Sequence, residues 1–395
     1  MRVAYITHYA DLYGANRSLL DLVRQLKRSG TVEPFILLPQ EGRLSEILAL
    51  EEIPFAVVPF QPWMSDRYYG GRLHHRLFQF IGHRRAARHR IRGNVALMPS
   101  LVALLRTWNI DIIHANSAAV GIAVDLARRL GRPLVWHIRE MPERHYGLHL
   151  DPGSRGFGKA LRKAKHLILV SKAVGDDLRR YTPVLPDHTV IYNGVLTEAG
   201  FAERLAHQRS AGPRQRPFTF VMVGLIHPSK GQLEAIDAMA IVLRSGIPAR
   251  LVIVGGGKEG PLHARIEELG IPDSVEFTGF LEDPFPVLIK ADAFLMCSRN
   301  EAMGRVTVEA MACALPVIGH ASGGTVELLE DGITGLLYTE GATDLAERMV
   351  LLLADPRYAV QLGEAGAVHA AVHFTIERYA QDVLKVYRSV SSNDR

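Results

Sequence analysis

The chain predicts an α/β protein built from two doubly wound parallel-sheet domains, and three observations carry that prediction. First, a strand–loop–helix–strand order opens the chain and returns near residue 217. "RVAYIT", a loop holding Gly14, "NRSLLDLVRQLKRSG" and "EPFILLP" are answered by "PFTFVMVG", "LIHPSKG", "QLEAIDAMAIVLRSG" and "ARLVIVG". Short apolar strands alternating with helices at this spacing are βαβ crossovers, which require a parallel sheet. Second, both helices close on Arg-Ser-Gly, with a glycine placed to cap the helix C-terminus. Third, the intervening "TEAGFAERLAHQRSAGPRQRP" is polar and ends in Gly, Pro and Arg, the make-up of a linker.

The remaining strands follow in order. "IDIIHAN", "PLVWHI", "HLILVS" and "TVIYN" complete the first sheet; "SVEFTG", "AFLMC", "LPVIG" and "TGLLY" complete the second. "FTIERYAQDVLKVYRSV" has the spacing of a terminal amphipathic helix. The chain therefore divides into a first domain at 1–196, a linker at 197–216, a second domain at 217–373 and a terminal helix at 374–395. Its 395 residues suffice for a core in each domain. In doubly wound sheets a ligand sits at the carboxyl ends of the strands, so two such domains point to a ligand in the cleft they face across.

Composition narrows the class. A hydrophobic share of 48% and a charged share of 22% are those of an ordinary water-soluble protein. Cys297 and Cys313 are the two cysteines, too few for a disulfide framework or a clustered zinc site, which suits a reducing cytoplasm. The opening "MRVAYITHYADLYGANRS" lacks the apolar core of a signal peptide, and no window has the length and apolarity of a spanning helix. The net charge of +5 is unevenly spread: "RYYGGRLHHRLFQFIGHRRAARHRIRG" (67–93) holds eight arginines, four histidines and no acid. Such a run is either a solvated face or a contact for an anionic partner such as a membrane surface. Nucleic acid is not among the expected partners.

Four motifs carry chemistry. "VIVGGGKEGP" contains Gly255, Gly257 and Gly260 in a G-x-G-x-x-G spacing, with Glu276 further on, as a dinucleotide fingerprint would have. Against that reading, its strand opens neither domain, and Lys258 and Glu259 occupy positions where backbone would approach a pyrophosphate. "HPSKGQ" sets Lys230 at a helix start, where an ammonium group and free N–H groups suit a diphosphate; a solvent lysine is the plain alternative. "NEAMGRVTVE" brackets Gly304 and Arg305 between Glu301, in a loop, and Glu309, inside a helix. Carboxylates so placed reach different parts of one extended ligand, although single glutamates are more often surface charges. His137 ends a strand in "VWHIRE", a position that more often holds a core or rim histidine.

"SRNEAMGRVTVEAMACALPVIGHASGGTVELLEDGITGLLY" (298–338) resembles the signature of retaining glycosyltransferases of family 4, the group 1 transferases of GT-B fold. The resemblance covers nearly the whole chain, through "YGANRSLLDL", "ILVSKAV", "VIYNGV", "VGLIHPSKGQ", "VGGGKEG" and "FTGF" in that order. It implies a terminal helix crossing back onto the first domain and a metal-independent enzyme without a cofactor. The implied co-substrate is a nucleotide-diphosphate sugar carrying UDP or GDP, and the acceptor a glycan or lipid-linked glycan of bacterial polysaccharide or glycoconjugate synthesis. Position by position, it makes Glu301 a ligand of donor-sugar hydroxyls, Glu309 of the ribose and Lys230 of the diphosphate. Gly304, Arg305, Gly224, Gly255 and Gly257 would line the donor, Gly14 would lie near diphosphate and acceptor, and His137 would face the reacting carbon. Leu225 stands where the family often has arginine, and Ala302–Met303 where it has proline–phenylalanine; Arg305 or Arg139 are candidates to replace the missing charge.

Other readings fit fewer residues. A glycosidase also uses two carboxylates but needs no diphosphate loop. A nucleotide-sugar epimerase, a non-catalytic nucleotide-sugar-binding protein and an NAD(P)-dependent oxidoreductase complete the set. The resulting expectation is a cytoplasmic hexosyltransferase, peripheral to the inner membrane if 67–93 meets lipid.

Overall fold

The computed structural model describes residues 1–66, 73–209 and 217–392. It divides into two compact units, Met1–Gly194 with Ile376–Arg395, and Val195–Thr375.

The first unit contains β1 (Arg2–Ile6), β2 (Glu33–Leu38), β3 (Phe55–Val57), β4 (Met64–Asp66), β5 (Ile112–Ala115), β6 (Leu134–Ile138), β7 (Leu148–Leu150), β8 (His166–Leu169) and β9 (His188–Val190). Seven of these form one parallel sheet in the order β3-β2-β1-β5-β6-β8-β9; β4 and β7 pair antiparallel beside it. The central strands are buried along their whole length, as expected of a sheet covered on both faces. The opening helix, Gly14–Arg28, turns Leu19, Leu22, Val23 and Leu26 into the core. The helix Ile376–Ser392 adds Tyr379, Val383, Val386, Tyr387 and Val390 to that same core. Their i, i+4, i+7, i+8, i+11 spacing is one helical stripe, which is why the chain's last helix belongs to its first unit.

The second unit contains β10 (Phe218–Val223), β11 (Ala249–Val254), β12 (Val275–Gly279), β13 (Ala293–Met296), β14 (Val317–His320) and β15 (Leu336–Tyr338). All are parallel, in the order β12-β11-β10-β13-β14-β15. The strand order reverses between β1 and β5 in one sheet and between β10 and β13 in the other. Those switch points are where such sheets open to a ligand.

One segment differs from expectation, and a second takes a form that its residues disfavour. The polar stretch expected to be a linker from 197 begins as a helix, Glu198–Arg209, inside the second unit; its remainder, 210–216, lies outside the described residues. Glu, Ala, Leu and Gln in "EAGFAERLAHQR" are good helix formers, and that local preference wins over overall polarity. The basic run lies largely in a 35-residue helix, Leu73–Thr107, although Gly82, Gly93 and Pro99 all weigh against helix there. Residues 67–72 of the run lie outside the described residues.

Candidate active site

In the second unit the chemistry collects at the β10/β13 switch point. After β10, His227 is extended and its Nδ1 accepts from the Ser229 N–H at 3.2 Å, which starts the short turn Pro228–Lys230. Gly231 follows at φ 73°, and a Cβ there would lie 2.4 Å from the carbonyl oxygen of Cys297. Only glycine lets this loop press against the end of β13. Gln232 opens the helix Gln232–Arg244 and donates to the Leu225 carbonyl at 3.0 Å, closing the loop on itself. Lys230 is thereby aimed across the switch point, where its Nζ donates to Glu301 Oε2 at 2.6 Å. Gly224, Lys230, Gln232, Met296 and Ser298 line one hollow here.

Glu301 is held from below. The Asn300 N–H donates to Ser322 Oγ at 2.9 Å, and the Gly324 N–H donates to the Glu301 carbonyl at 2.7 Å. A Cβ on Gly323 would sit 2.3 Å from that same carbonyl. The "ASGG" turn after β14 is therefore the bed on which the Glu301 loop rests, a role that sequence reading did not single out although the glycine pair was its signal.

Gly304, at φ 83°, caps the helix Arg305–Ala312. One turn in, Glu309 meets Arg305 at 3.2 Å between Oε1 and Nε, an i,i+4 pair nearly closed to solvent. Arg305 also donates through Nη2 to the Val195 carbonyl at 3.1 Å. The expected ligands Lys230, Glu301, Arg305 and Glu309 thus form two ion pairs in one unit. Leu225 is half exposed and offers no charge.

The glycine fingerprint serves the protein itself. A Cβ on Gly255 would lie 1.9 Å from the Gly224 carbonyl oxygen, and one on Gly257 2.6 Å from that of Ile226. The Ile226 N–H donates to Gly256, and the Gly255 N–H to Gly279. These glycines let the loops after β10, β11 and β12 interlock, which accounts for their spacing without a dinucleotide.

The first unit presents a different arrangement. Gly14 begins its helix with open space beside it. Next to it, Asn16 donates to the carbonyls of Tyr9 and Asp11 at 2.9 and 2.8 Å, folding the loop after β1. His137 does not end its strand: it lies within β6, is 0% exposed, and its ring stands 5.4 Å from that of His114 and 6.1 Å from that of Tyr379. Neither of its ring nitrogens has a hydrogen-bond partner among the described residues. This placement departs from the expectation of a histidine facing the reacting carbon. The period-two alternation that sends Trp136 and Ile138 to one face of the strand sends His137 under the terminal helix instead.

The residue that does reach the carboxyl edge is Arg139, which sequence reading weighed only as a spare charge. Its Nε donates to Asn116 Oδ1 at 2.8 Å, its Nη2 to the Tyr379 hydroxyl at 2.7 Å, and its Nη1 to Asn193 Oδ1. Three of its five N–H donors are thus engaged inside the unit, each on a neutral oxygen. Burial, with the Arg139 charge adding to it, holds His114 and His137 well below the ordinary histidine value. Glu140, next along, accepts from Ser117 Oγ, and burial raises its carboxyl despite that bond.

Residues 13–199 match the family model described as Glycosyltransferase Family 4, and residues 203–369 the one described as Glycosyl transferases group 1. A D-inositol 3-phosphate glycosyltransferase of Kribbella flavida is 32% identical over 304 residues, spanning 71% of this chain and 72% of the relative. The chain belongs to the family 4, group 1 glycosyltransferases. An alpha-D-kanosaminyltransferase of Streptomyces kanamyceticus is 28% identical over 299 residues, 70% of this chain and 77% of that one. Among solved structures, Anabaena HepE in complex with UDP and glucose shares the fold with a TM-score of 0.77 at 23% identity, over 98% of this chain and 100% of HepE. The glycosyltransferase reading of the chain therefore stands. Among the described residues no helix is long and apolar enough to cross a membrane.

Proposed function

We propose that this glycosyltransferase moves a hexosyl group, with retention and without a metal, from a UDP- or GDP-sugar to a hydroxyl of a glycan or lipid-linked glycan. Bacterial polysaccharide or glycoconjugate synthesis on the cytoplasmic side of the inner membrane is the setting that suits such an acceptor. The observation that carries the donor half is the Lys230–Glu301 pair at the switch point of the second sheet. The UDP and glucose bound by HepE support a UDP-sugar as the first candidate.

The pair explains how one lysine and one glutamate serve two ends of a donor. When a diphosphate approaches, Lys230 leaves Glu301 for the phosphate oxygens, and the carboxylate it releases is available to accept from sugar hydroxyls. Cleavage of the bond between the anomeric carbon and the phosphate oxygen builds negative charge on the diphosphate, which Lys230 stabilises. The acceptor oxygen then bonds to the anomeric carbon on the face the phosphate left, and its proton passes to a phosphate oxygen. Glu309, paired with Arg305 one turn into its helix, is assigned the ribose hydroxyls, and Gly304 lets the backbone approach the donor. Gly224, Gly255 and Gly257 shape the nucleotide side by interlocking their loops. Gly14 is assigned to the diphosphate and acceptor, in a unit where His137 supports Arg139 from within the sheet.

Titration calorimetry with UDP, GDP and their sugars tests this division. Glu309→Ala should weaken free nucleotide and intact donor alike, by about 1.5–3 kcal/mol. Glu301→Ala should leave free nucleotide affinity unchanged or raised, since Lys230 is released, while transfer is lost. Equal loss of nucleotide affinity in both variants would falsify the assignment. Slow release of free sugar from donor without acceptor separates a transferase from a binding protein of the same fold.

A further inference from the structure

We propose that the outward arc of the helix Leu73–Thr107 docks the enzyme on an anionic phospholipid surface. One side of this helix is pinned to its own unit. Arg90 makes a two-point contact with Asp151, at 2.7 Å through Nε and 2.6 Å through Nη2, and Asn94 bonds the Gln61 backbone in both directions at 2.8 Å. Ala87, Met98, Leu101 and Leu105 continue that side into the interior.

The other side is built differently. At 3.6 residues per turn, Ile91, Arg84, Val95, Arg88, Ile81, Arg92 and Arg85 follow one another around an arc of about 120°. The three apolar side chains in it are exposed: Ile81 by 40%, Ile91 by 39% and Val95 by 52%. Ile81 is as apolar as a core residue, yet it faces outward. Arg84, Arg85, Arg88 and Arg92 are exposed too, and none pairs with a carboxylate among the described residues. From residue 67 to residue 110 the chain contains no Asp or Glu at all. Where the helix faces protein, its arginine is given an acid; where it faces outward, four are given none.

The mixture selects the partner. A soluble polyanion would be satisfied by the arginines alone and gains nothing from isoleucine and valine between them. A lipid surface uses both, with charges at the phosphates and apolar groups at the boundary between headgroups and acyl chains. Since no described helix can span a bilayer, the contact is interfacial. It deepens the reading of a lipid-linked acceptor, but the binding itself does not depend on that reading.

Co-sedimentation of the full chain with phosphatidylcholine vesicles, with and without phosphatidylglycerol, tests it. Binding should require the anionic lipid and fall with salt. Replacing Arg84, Arg85, Arg88 and Arg92 with serine should weaken it more than 100-fold, at about fivefold per arginine. Ile91→Asp with Val95→Asp should abolish vesicle binding while retention on heparin persists. Indifference of the wild type to phosphatidylglycerol overturns the proposal, as does vesicle binding by the double aspartate variant equal to wild type. UDP-induced thermal shift, measured on every variant, confirms that each is folded. If UDP and GDP both give no shift and neither UDP- nor GDP-sugars are hydrolysed by wild type while vesicle binding is present, the transferase reading fails and the docking surface stands.

Discussion

The carboxyl edges of the two sheets solve the same electrostatic problem in opposite ways. In the second unit each cation is matched to a carboxylate: Lys230 to Glu301, and Arg305 to Glu309. In the first unit Arg139 is matched only to neutral oxygens, those of Asn116, Asn193 and Tyr379, with two neutral histidines behind it. A cation held by a carboxylate can be handed to another anion, so a diphosphate can take Lys230 provided the ligand's own hydroxyls satisfy the carboxylate it leaves. The Arg139 guanidinium, fixed by three neutral oxygens of its own unit, holds no carboxylate that a ligand could replace. The difference teaches that the second edge is built to be rearranged by ligand and the first to hold its shape.

The largest effect should come from breaking the exchangeable pair. Lys230→Ala removes the charge that meets the leaving diphosphate, and kcat should fall about 100- to 1,000-fold while donor KM changes little. Steady-state kinetics decides this; a change confined to KM would make the lysine an anchor only. The double variant with Glu301→Ala should lose less than the product of the two single losses, because the residues act as a unit.

On the first edge the expected loss is in stability instead. Arg139→Met leaves two amide oxygens and a hydroxyl without their donor and should cost about 2–4 kcal/mol, against about 1 kcal/mol for Tyr379→Phe. All three tryptophans, Trp63, Trp108 and Trp136, belong to the first unit. Tryptophan fluorescence in urea therefore reads that unit alone. A loss for Arg139→Met no larger than for Tyr379→Phe would mean that the guanidinium is dispensable.

The remaining effect is a dependence on acidity, modest per step of pH. His114 and His137 stay neutral in the folded unit, whereas in the unfolded chain they gain protons below about pH 6.5. Stability from this source is complete above that pH and is lost as pH falls through it, by up to about 1.4 kcal/mol per pH unit for each histidine. The same fluorescence titration between pH 7 and 5 should show that slope, and His137→Leu should lower it. An unchanged slope in that variant would remove His137 from the explanation.

How much of this was legible in the sequence follows the physics of each element. The β-strands and their parallel order could be read because apolar runs, glycine caps and a repeated opening state them locally. Lys230, Glu301, Gly304 and Glu309 were legible because their spacing along a loop and a helix is itself the feature. Arg139 was not, since its partners lie 23, 54 and 240 residues away and only tertiary structure brings them together. For His137 the sequence left core and rim both open, because facing one way or the other turns on a single step of strand register, and the structure places it in the core. The helix Leu73–Thr107 carries Gly82, Gly93 and Pro99, whose local cost is offset by the contacts of Arg90 and Asn94.

The bond between the Tyr387 and Tyr5 hydroxyls spans 382 positions. A chain made from its N-terminus must wait for its last helix before the core around β1 can close, while Val195–Thr375 has all its strands in hand earlier. On the ribosome the order of completion is thus inverted, with the later-encoded unit maturing first and the earlier one remaining an unfinished client, in need of shelter, until the helix Ile376–Ser392 has emerged.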